Sequence, residues 1–522
     1  MTYLAIKSAA LLCIAVYAAL RFKYELQMMQ QNSYRTARYL RWLKSNLSST
    51  VRATDLMLLA VLLLFWNNIW AIGGVGAVSI LKSAKEIGRK YKKPLVFTAR
   101  ATRIYVVELL LLILPVAAML FLATITVSAA YAMAAAALSP IFALAALWIL
   151  LPLEKLINRH YCNDARRILR SMPELTVIGI TGSYGKTSTK HYLYRILSEK
   201  YNVLMTPGSY NTTLGVVRTV REQLKPYHQV FIVEMGAKQR GDVREICRLV
   251  NPQIGIITAV GEQHLESFGC IENVQAAKFE LIDSLPENGT AILNDDFEMI
   301  ASRKVTGVKN VYRYSATGRN ADFKASDIRY GRTSSTFTVE GPDGTEIPLE
   351  TRLLGECNIS NLLAGYITAK VMGMDETDIR YAVAQVAQVE HRLSVRHAAG
   401  GITVIDDAFN SNPHGSKMAL DVLGSFTGGR RIVITPGMIE LGKEQYRLNR
   451  QLGEYMCGRC DTAIVVGRYN RDAIVEGLTG GGFRQQDIIE ADTFAEASAR
   501  LREIVRSGDT VLYENDLPDT FK

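Results

Sequence analysis

Lys186 and Thr187 are the residues best placed to do chemistry. They close the run Thr181-Gly182-Ser183-Tyr184-Gly185-Lys186-Thr187-Ser188. Glycines let backbone N–H groups approach an anion with no Cβ in the way. A helix starting at Lys186 turns its positive end toward the same point. From there Lys186 can reach the β- and γ-phosphates of a nucleotide, and the Thr187 hydroxyl can ligate Mg²⁺. The candidate cofactors are therefore ATP and Mg²⁺, with Gly182, Ser183, Gly185, Lys186, Thr187 and Ser188 as contacts. The pattern is T-G-x-x-G-K-T-S, with Ile180 where the common phosphate loop has its first glycine. A plain glycine turn before a helix is the alternative reading.

Such a loop needs a strand before it, and the β-branched run Thr176–Thr181 supplies one. Further apolar runs, Val230–Glu234, Ile254–Ala259 and Ala291–Asn294, alternate with helical stretches Lys186–Ser198, Gly241–Leu249 and Ile271–Leu285. That alternation predicts a parallel sheet covered by helices on both faces, with active groups at the carboxyl ends of the strands. Two such ends carry polar groups, Glu234-Met-Gly-Ala237 and Gly261-Glu-Gln-His264-Leu-Glu266. A carboxylate and an imidazole there suit Mg²⁺ bridging nucleotide and substrate. Taken singly, Glu234 also reads as a solvated loop carboxylate and His264 as a structural histidine. Asn358 and Asn361, three apart on one helix face, could read an adenine edge; helix capping is the other role open to Asn358.

Residues 1–155 read as a membrane region of three to four segments. Tyr3–Leu20, Met57–Ile80, Ile104–Val127 and Tyr131–Leu153 each approach the roughly 20 apolar residues a spanning helix needs. The first lacks the basic start and small-residue cleavage site of a secretion signal. Arg21 to Arg52 form one basic loop and Lys82 to Arg103 (with Lys90, Lys92 and Lys93) a second. The positive-inside rule places both in the cytoplasm. One crossing by residues 57–80 cannot satisfy both, and Asn67-Asn68 and Gly73-Gly74 suggest a re-entrant segment. A plain four-helix region with one basic loop outside is the alternative. Anionic lipid headgroups then account for much of the net charge of +10, and nucleic acid is not required. The expected location is the cell membrane, multi-pass, with cytoplasmic catalytic domains.

Residues 156–174 read as an amphipathic linker helix, 175–387 as an ATP-binding domain and 388–522 as a second open α/β sheet. Within the ATP-binding domain, residues 305–352 alternate as a hairpin insertion or small antiparallel sheet around the turn Gly341-Pro-Asp-Gly344. The final domain has strands near Ile402–Ile405, Arg431–Thr435, Thr462–Val466 and Thr510–Tyr513. The seven cysteines are scattered and odd in number, unlike an oxidised secreted framework, and Cys457-Gly-Arg-Cys460 lacks the second pair that zinc would want.

Taken in order, several runs resemble the Mur ligase family, nearest its D-Ala-D-Ala-adding branch. They are residues 181–188, Glu234-Met-Gly-Ala237, His264-Leu-Glu-Ser-Phe-Gly269, Ala277-Lys-Phe-Glu280, Leu285-Pro-Glu-Asn-Gly289, Gly355-Glu-Cys-Asn-Ile-Ser-Asn361, His391-Arg-Leu393, Asp406-Asp-Ala-Phe-Asn-Ser-Asn-Pro413 and Gly437-Met-Ile-Glu-Leu-Gly442. The resemblance implies a phosphate-loop ATPase domain and a C-terminal Rossmann-like domain. It implies an ATP-dependent ligase that joins a cell-envelope precursor carboxylate to an amino acid or dipeptide amine through an acyl phosphate. It also implies that Glu234, His264 and Thr187 bind metal and that Lys278 matches a lysine carbamylated in several members. That change would turn a repulsive cation into a metal ligand. Asn358 and Asn361 would touch adenine, while Arg392 and Asp407 would close on the nucleotide. The implied catalytic set is Lys186, Lys278, His264 and Arg392.

Four departures stand out. A membrane region occupies the place of the family's UDP-sugar-binding domain, Cys357 stands where His is usual, and His391 where Gly is usual. The tail from Tyr513 to Asp519 lacks the basic Lys-Gly-Ser type ending. Without a UDP-binding domain, a membrane-held, lipid-linked substrate is the expectation. The competing readings are a poly-γ-glutamate-type synthetase, a catalytically dead nucleotide-sensing membrane scaffold, and an ATP-driven transporter. The transporter would need polar groups within the spans, where Glu108 is the main one.

Overall fold

The computed structural model describes residues 2–66, 68–89, 91, 94–122, 124–331, 334–398, 400–409 and 411–516. Outside the described residues lie Asn67, Lys90, Lys92, Lys93, Thr333 at the start of the expected hairpin, Asn410, and positions 517–519 of the tail. The chain divides into two compact units, one ending at Arg159 and one beginning at His160.

The N-terminal unit is helical: α1 Thr2–Gln31, α2 Thr36–Ser45, α3 Leu47–Thr50, α4 Ala53–Leu64, α5 Ile69–Ile87, α6 Ala99–Leu122, α7 Ile125–Ala137 and the first part of α8 Ser139–Arg170. Among the described residues, three helices are long and apolar enough to cross a membrane: Tyr3–Gln31, Ala99–Leu122 and Ser139–Arg170. The apolar stretch 57–80 is not one helix. It breaks between α4 and α5, where the Asn68 side chain accepts from the N–H groups of Trp70 (2.9 Å) and Ala71 (3.3 Å) and so caps α5. The two helices run antiparallel. Arg52, before α4, pairs with Glu86 near the end of α5 at 2.6 Å, and Asp55 pairs with Lys82. The stretch 131–153 breaks too, at Leu138 before Ser139-Pro140. There α7 folds back on α6, its Tyr131 hydroxyl donating to the Leu111 carbonyl (2.7 Å). Helix α8 runs unbroken through the start of the expected linker at 156 and ends at Arg170.

The second unit holds two sheets. The first contains β1 Thr176–Thr181, β2 Val203–Met205, β3 Val230–Glu234, β4 Ile254–Ile257, β5 Thr290–Asn294, β6 Asn310–Ser315, β7 Phe323–Tyr330, β8 Ser335–Glu340 and β9 Glu346–Thr351. Their order across the sheet is β2-β3-β1-β4-β5-β6-β7-β8-β9. Strands β1 to β6 pair in parallel, and β7, β8 and β9 pair antiparallel. Alternation along each strand feeds two cores. Ile178, Ile180, Ile232, Ile254 and Ile292 face one layer of helices, and Val177, Phe231, Val233, Ile257 and Leu293 face the other. Each layer removes apolar surface worth about 25 cal/mol per Å² from water.

The segment 305–352, expected as a hairpin insertion or small antiparallel sheet, extends this sheet. Tyr314 on β6 pairs with Phe323 on β7, and β8–β9 forms the anticipated hairpin. Phe323, Ala325, Phe337, Val339 and Leu349 alternate inward onto the same core as Ile178, so the segment has its apolar face covered only by joining.

The second sheet contains β10 Ser394–Ala398, β11 Ile402–Asp407, β12 Arg431–Thr435, β13 Thr462–Val466, β14 Ile488–Ala491 and β15 Thr510–Glu514, in the order β10-β11-β15-β12-β13-β14. Only the β10 edge is antiparallel. Its two faces also separate, with Ile405, Val433, Val465 and Leu512 on one side and Ile432, Ile434, Ile464 and Val511 on the other. The fold is thus α/β, with a phosphate-loop parallel-sheet domain and a Rossmann-like C-terminal domain that follow a set of long apolar helices in sequence.

Candidate active site

β1 lies between β3 and β4, and its register sets Ile180 beside Glu234 and Thr181 beside Ile257. Three carboxyl ends therefore open at one edge, where the strand order reverses. The loop after β1 leads into helix α9, Lys186–Leu197. Gly185 has φ +81°, and a Cβ there would sit 2.7 Å from the Asn361 amide oxygen. A Cβ on Gly182 would overlap the Thr258 hydroxyl oxygen. Both positions are thus confined to glycine, and the backbone forms a cradle suited to an anion. Ser183 ties the loop to the neighbouring strand end, donating from its N–H to Ala259 O (2.8 Å) and from its hydroxyl to Gly261 O (3.0 Å).

Lys186 curls over the loop and donates to Gly182 O (2.7 Å) and Ser183 O (3.0 Å). Burial pushes its ammonium down to about 8; Glu234 opposes that shift and Arg392 adds to it. A triphosphate would take over those donor bonds and restore the charge. Thr187 Oγ1 donates to Glu234 Oε2 (3.1 Å). Glu234 also accepts from Asn211 Nδ2 (3.1 Å) and pairs with Lys190 Nζ at 3.1 Å. Desolvation would raise the Glu234 carboxyl, but Lys190 and Lys186 outweigh it and hold the group below the ordinary value. It is therefore ionised, as a cation ligand must be.

Asn358 and Asn361 are buried and serve the loop from behind. Asn358 accepts from the Tyr192 hydroxyl (2.7 Å) and donates to Leu354 O (2.8 Å), while Asn361 accepts from Thr189 (3.0 Å). Ser188 is buried against the Tyr192 hydroxyl. Lys278 is buried, and desolvation, with Lys186 adding to it, drives its ammonium well below the usual lysine range. A neutral amine of that kind is the form that can add CO₂.

The C-terminal domain contributes Arg392, whose Nη2 reaches Thr187 Oγ1 at 3.4 Å and whose guanidinium lies 4.1 Å over the Phe409 ring. Asp407 accepts from Leu393 N–H (3.0 Å), and burial raises its carboxyl to about 6 against the pull of Arg392. His391 has φ +58°, which explains why glycine suits that position, and its ring bonds Asp406 at 2.8 Å. His264 turns its Nδ1 to Glu440. Among the described residues no three His, Cys, Asp or Glu side chains form a metal cage. In this conformation Glu234 is engaged by Thr187, Asn211 and Lys190, and the His264 Nδ1 by Glu440. The donor set does fit Mg²⁺ bound with a nucleotide. Thr187 and Glu234 supply hard oxygens beside the cradle, and phosphate oxygens would complete the shell.

The region 180–369 matches the Mur ligase middle domain, and 391–513 matches the Mur ligase glutamate ligase domain. UDP-N-acetylmuramoyl-tripeptide--D-alanyl-D-alanine ligase of Mycobacterium bovis is 30% identical over 360 residues, 65% of this chain and 70% of that protein. This chain belongs to the Mur ligase family. It is accordingly an ATP-dependent acid–amino-acid ligase, and Mur ligases use ATP, typically with Mg²⁺. The Escherichia coli ligase of the same name is 29% identical over 355 residues, 65% of this chain and 78% of that protein. Among solved structures, MurF from Acinetobacter baumannii superposes with a TM-score of 0.63 at 26% identity, covering 69% of this chain and 77% of that one. MurF from Thermotoga maritima in complex with ADP does so with a TM-score of 0.61 at 26% identity, covering 69% and 80%.

Two residues that contact Glu234, Lys190 and Asn211, escaped the sequence reading. Lys190 lies one turn beyond Lys186, and that i, i+4 spacing was a usable signal. Asn211 follows a short strand, β2, that carries no strong pattern of its own.

Proposed function

We propose that this Mur ligase is a membrane-anchored, D-Ala-D-Ala-adding type of amide ligase acting on a peptidoglycan or cell-envelope precursor held at the membrane. The observation that carries the reading is the convergence on one phosphate cradle of Lys186, Thr187 and Glu234 from the middle domain and Arg392 from the C-terminal domain. Phosphoryl transfer asks mainly for positioning and charge, and those groups supply both.

Lys186 holds the transferring phosphoryl group and Arg392 closes on it from the other domain. A precursor carboxylate oxygen attacks the γ-phosphorus, the bond to ADP breaks, and an acyl phosphate forms. The amine then attacks the carbonyl carbon, phosphate leaves, and the nitrogen gives up a proton. Mg²⁺, held by Thr187, Glu234, a carbamylated Lys278 and the His264 Nε2, would neutralise the phosphate charge. Asn358 and Asn361 brace the loop from behind, near where adenine would lie, and Asp407 holds the Arg392 loop. Docking of the C-terminal domain excludes water that would hydrolyse the acyl phosphate.

The membrane part of the reading draws on three helices of spanning length and on outward apolar side chains such as Leu64, Trp70, Phe121 and Leu122. Both family matches begin beyond residue 179, so residues 1–159 supply a helical unit ahead of the Mur ligase core. The antiparallel α4–α5 pair brings both basic loops to one side, consistent with cytoplasmic catalytic domains. Anionic membrane lipid is the partner for that charge, and nucleic acid is not needed.

The test is ADP release by the full chain in nanodiscs, with D-Ala-D-Ala as amine and either lipid-linked or UDP-linked precursor as acceptor. Preference for the lipid-linked acceptor is expected. Equal or better use of the UDP form would remove the membrane-held substrate, and no ADP release with either acceptor across D-Ala-D-Ala, glutamate and diamino acids would refute the ligase assignment.

A further inference from the structure

Glu440 lies in the turn after β12, on the C-terminal domain, and reaches across to the middle domain. Its carboxylate accepts from Lys238 Nζ at 2.9 and 3.2 Å and bonds the Nδ1 of His264, and its carbonyl accepts from Glu266 N–H at 3.1 Å. The two residues that meet here are both left-handed, Glu440 at φ +62° and His264 at φ +54°. Non-glycine residues adopt that conformation at a cost of roughly 1–2 kcal/mol each. Two such outliers at one contact mark a place where geometry has been retained against strain.

The chemistry of the contact is specific. A neutral imidazole donates from one nitrogen and accepts at the other. A carboxylate at Nδ1 calls for the proton there, which leaves the lone pair on Nε2. A histidine that ligates a metal commonly has its other nitrogen held by a carboxylate in this way. His264 stands in the loop after β4, where Gly261 exchanges hydrogen bonds with Ser183 of the phosphate loop, so the ring belongs to the surroundings of that loop.

We propose that Glu440 is a positioning residue that couples docking of the C-terminal domain to the readiness of His264 as a metal ligand. Only when that domain is seated does His264 acquire its carboxylate partner, its tautomer and its ring orientation. Metal coordination and domain closure then favour each other. The proposal rests on the nucleotide-site reading above and deepens it. Lys238 anchors the same carboxylate and keeps it in register with the ring.

The test uses the full chain in nanodiscs, with Mn²⁺ as the probe and its free concentration read by electron paramagnetic resonance in the presence of ADP. Glu440→Gln keeps the shape of the side chain and removes its charge. It should weaken Mn²⁺ binding by about 10-fold or more while ADP affinity without metal stays within about twofold of wild type. Glu440→Asp, which keeps the charge but shortens the reach, should lose less. Combined with His264→Asn, Glu440→Gln should add nothing further, since the ring it serves is gone. Wild-type Mn²⁺ affinity in both Glu440 variants, full additivity with His264→Asn, or an equal loss of metal-free ADP binding would overturn the proposal. A wild-type protein that bound no Mn²⁺ with ADP would instead remove the nucleotide-site reading beneath it.

Discussion

Lys190 Nζ lies 3.1 Å from Glu234 Oε2 with both side chains sealed from solvent. Lys190 also donates to Gly208 O (2.6 Å), so one ammonium ties α9 to the loop after β2 and to the end of β3. Removing one partner of a buried pair strands the other and typically costs about 3–5 kcal/mol. Lys190→Met should therefore lower the melting temperature of the full chain by roughly 10 °C. A drop of less than about 2 °C would show that Lys186 alone compensates Glu234.

Lys186 titrates near 8 in the nucleotide-free fold, below its ordinary 10.5. The depressed value means that the charged form strains the fold below about pH 8, and that this cost is relieved as pH rises from about 8 to 10.5. Stability without nucleotide should rise across that window from this group. A bound triphosphate restores the charge, so nucleotide binding at pH 8.5 should take up roughly half a proton or more. Calorimetry in two buffers of different ionisation heat measures the uptake, and none would mean that Lys186 does not meet the phosphates.

Lys278→Ala should abolish ADP formation, because the site loses the side chain that would become a carbamate. Acetate or another short carboxylate at high concentration should restore part of the activity by standing in as the missing ligand. Wild-type enzyme should also slow in CO₂-depleted buffer. Full activity in the unrescued variant would refute the carbamate assignment.

Gly185→Ala places a methyl 2.7 Å from the Asn361 amide oxygen in a backbone of φ +81°. The left-handed conformation alone costs about 1–2 kcal/mol. The loop should relax away from its cradle shape, and ADP affinity should fall by about 10-fold or more while the two sheets stay folded. Unchanged affinity with native circular dichroism would show that the cradle is not the phosphate site.

The α4–α5 hairpin returns to the side it came from, with Arg52 beside Glu86. Single cysteines placed at the exposed positions Ser49 and Lys85, in a background with native cysteines replaced, should both label with an impermeant maleimide from the cytoplasmic side only. Labelling from opposite sides would mean that residues 57–80 cross the bilayer once.

Much of the site was legible because its parts are local. The strand Thr176–Thr181, the glycine loop and Lys186-Thr187 occupy a dozen consecutive residues, and their spacing carries their chemistry. The carboxyl-end positions of Glu234 and His264 followed from the alternation of apolar runs with helical stretches. Strands β2, β6, β7, β10 and β14 were not legible: β2, β10 and β14 are sheet edges, and all five owe their pairing to neighbouring strands. The expected hairpin insertion became strands β6 to β9 of the main sheet, because Tyr314 and Phe323 find their partners only in three dimensions. Asn358 and Asn361 share a helix face as expected, yet that face is turned to Tyr192 and Thr189, which no spacing rule could announce.

By itself the order of residues determined the fold class, the phosphate loop and the family, since these rest on periodicity and on contiguous motifs. Tertiary structure alone decided the partners: Lys190 with Glu234, Arg392 over Thr187, and Glu440 on His264. Those contacts join groups far apart along the chain, and a buried charge is matched by whatever packing brings within reach, which sequence distance does not encode.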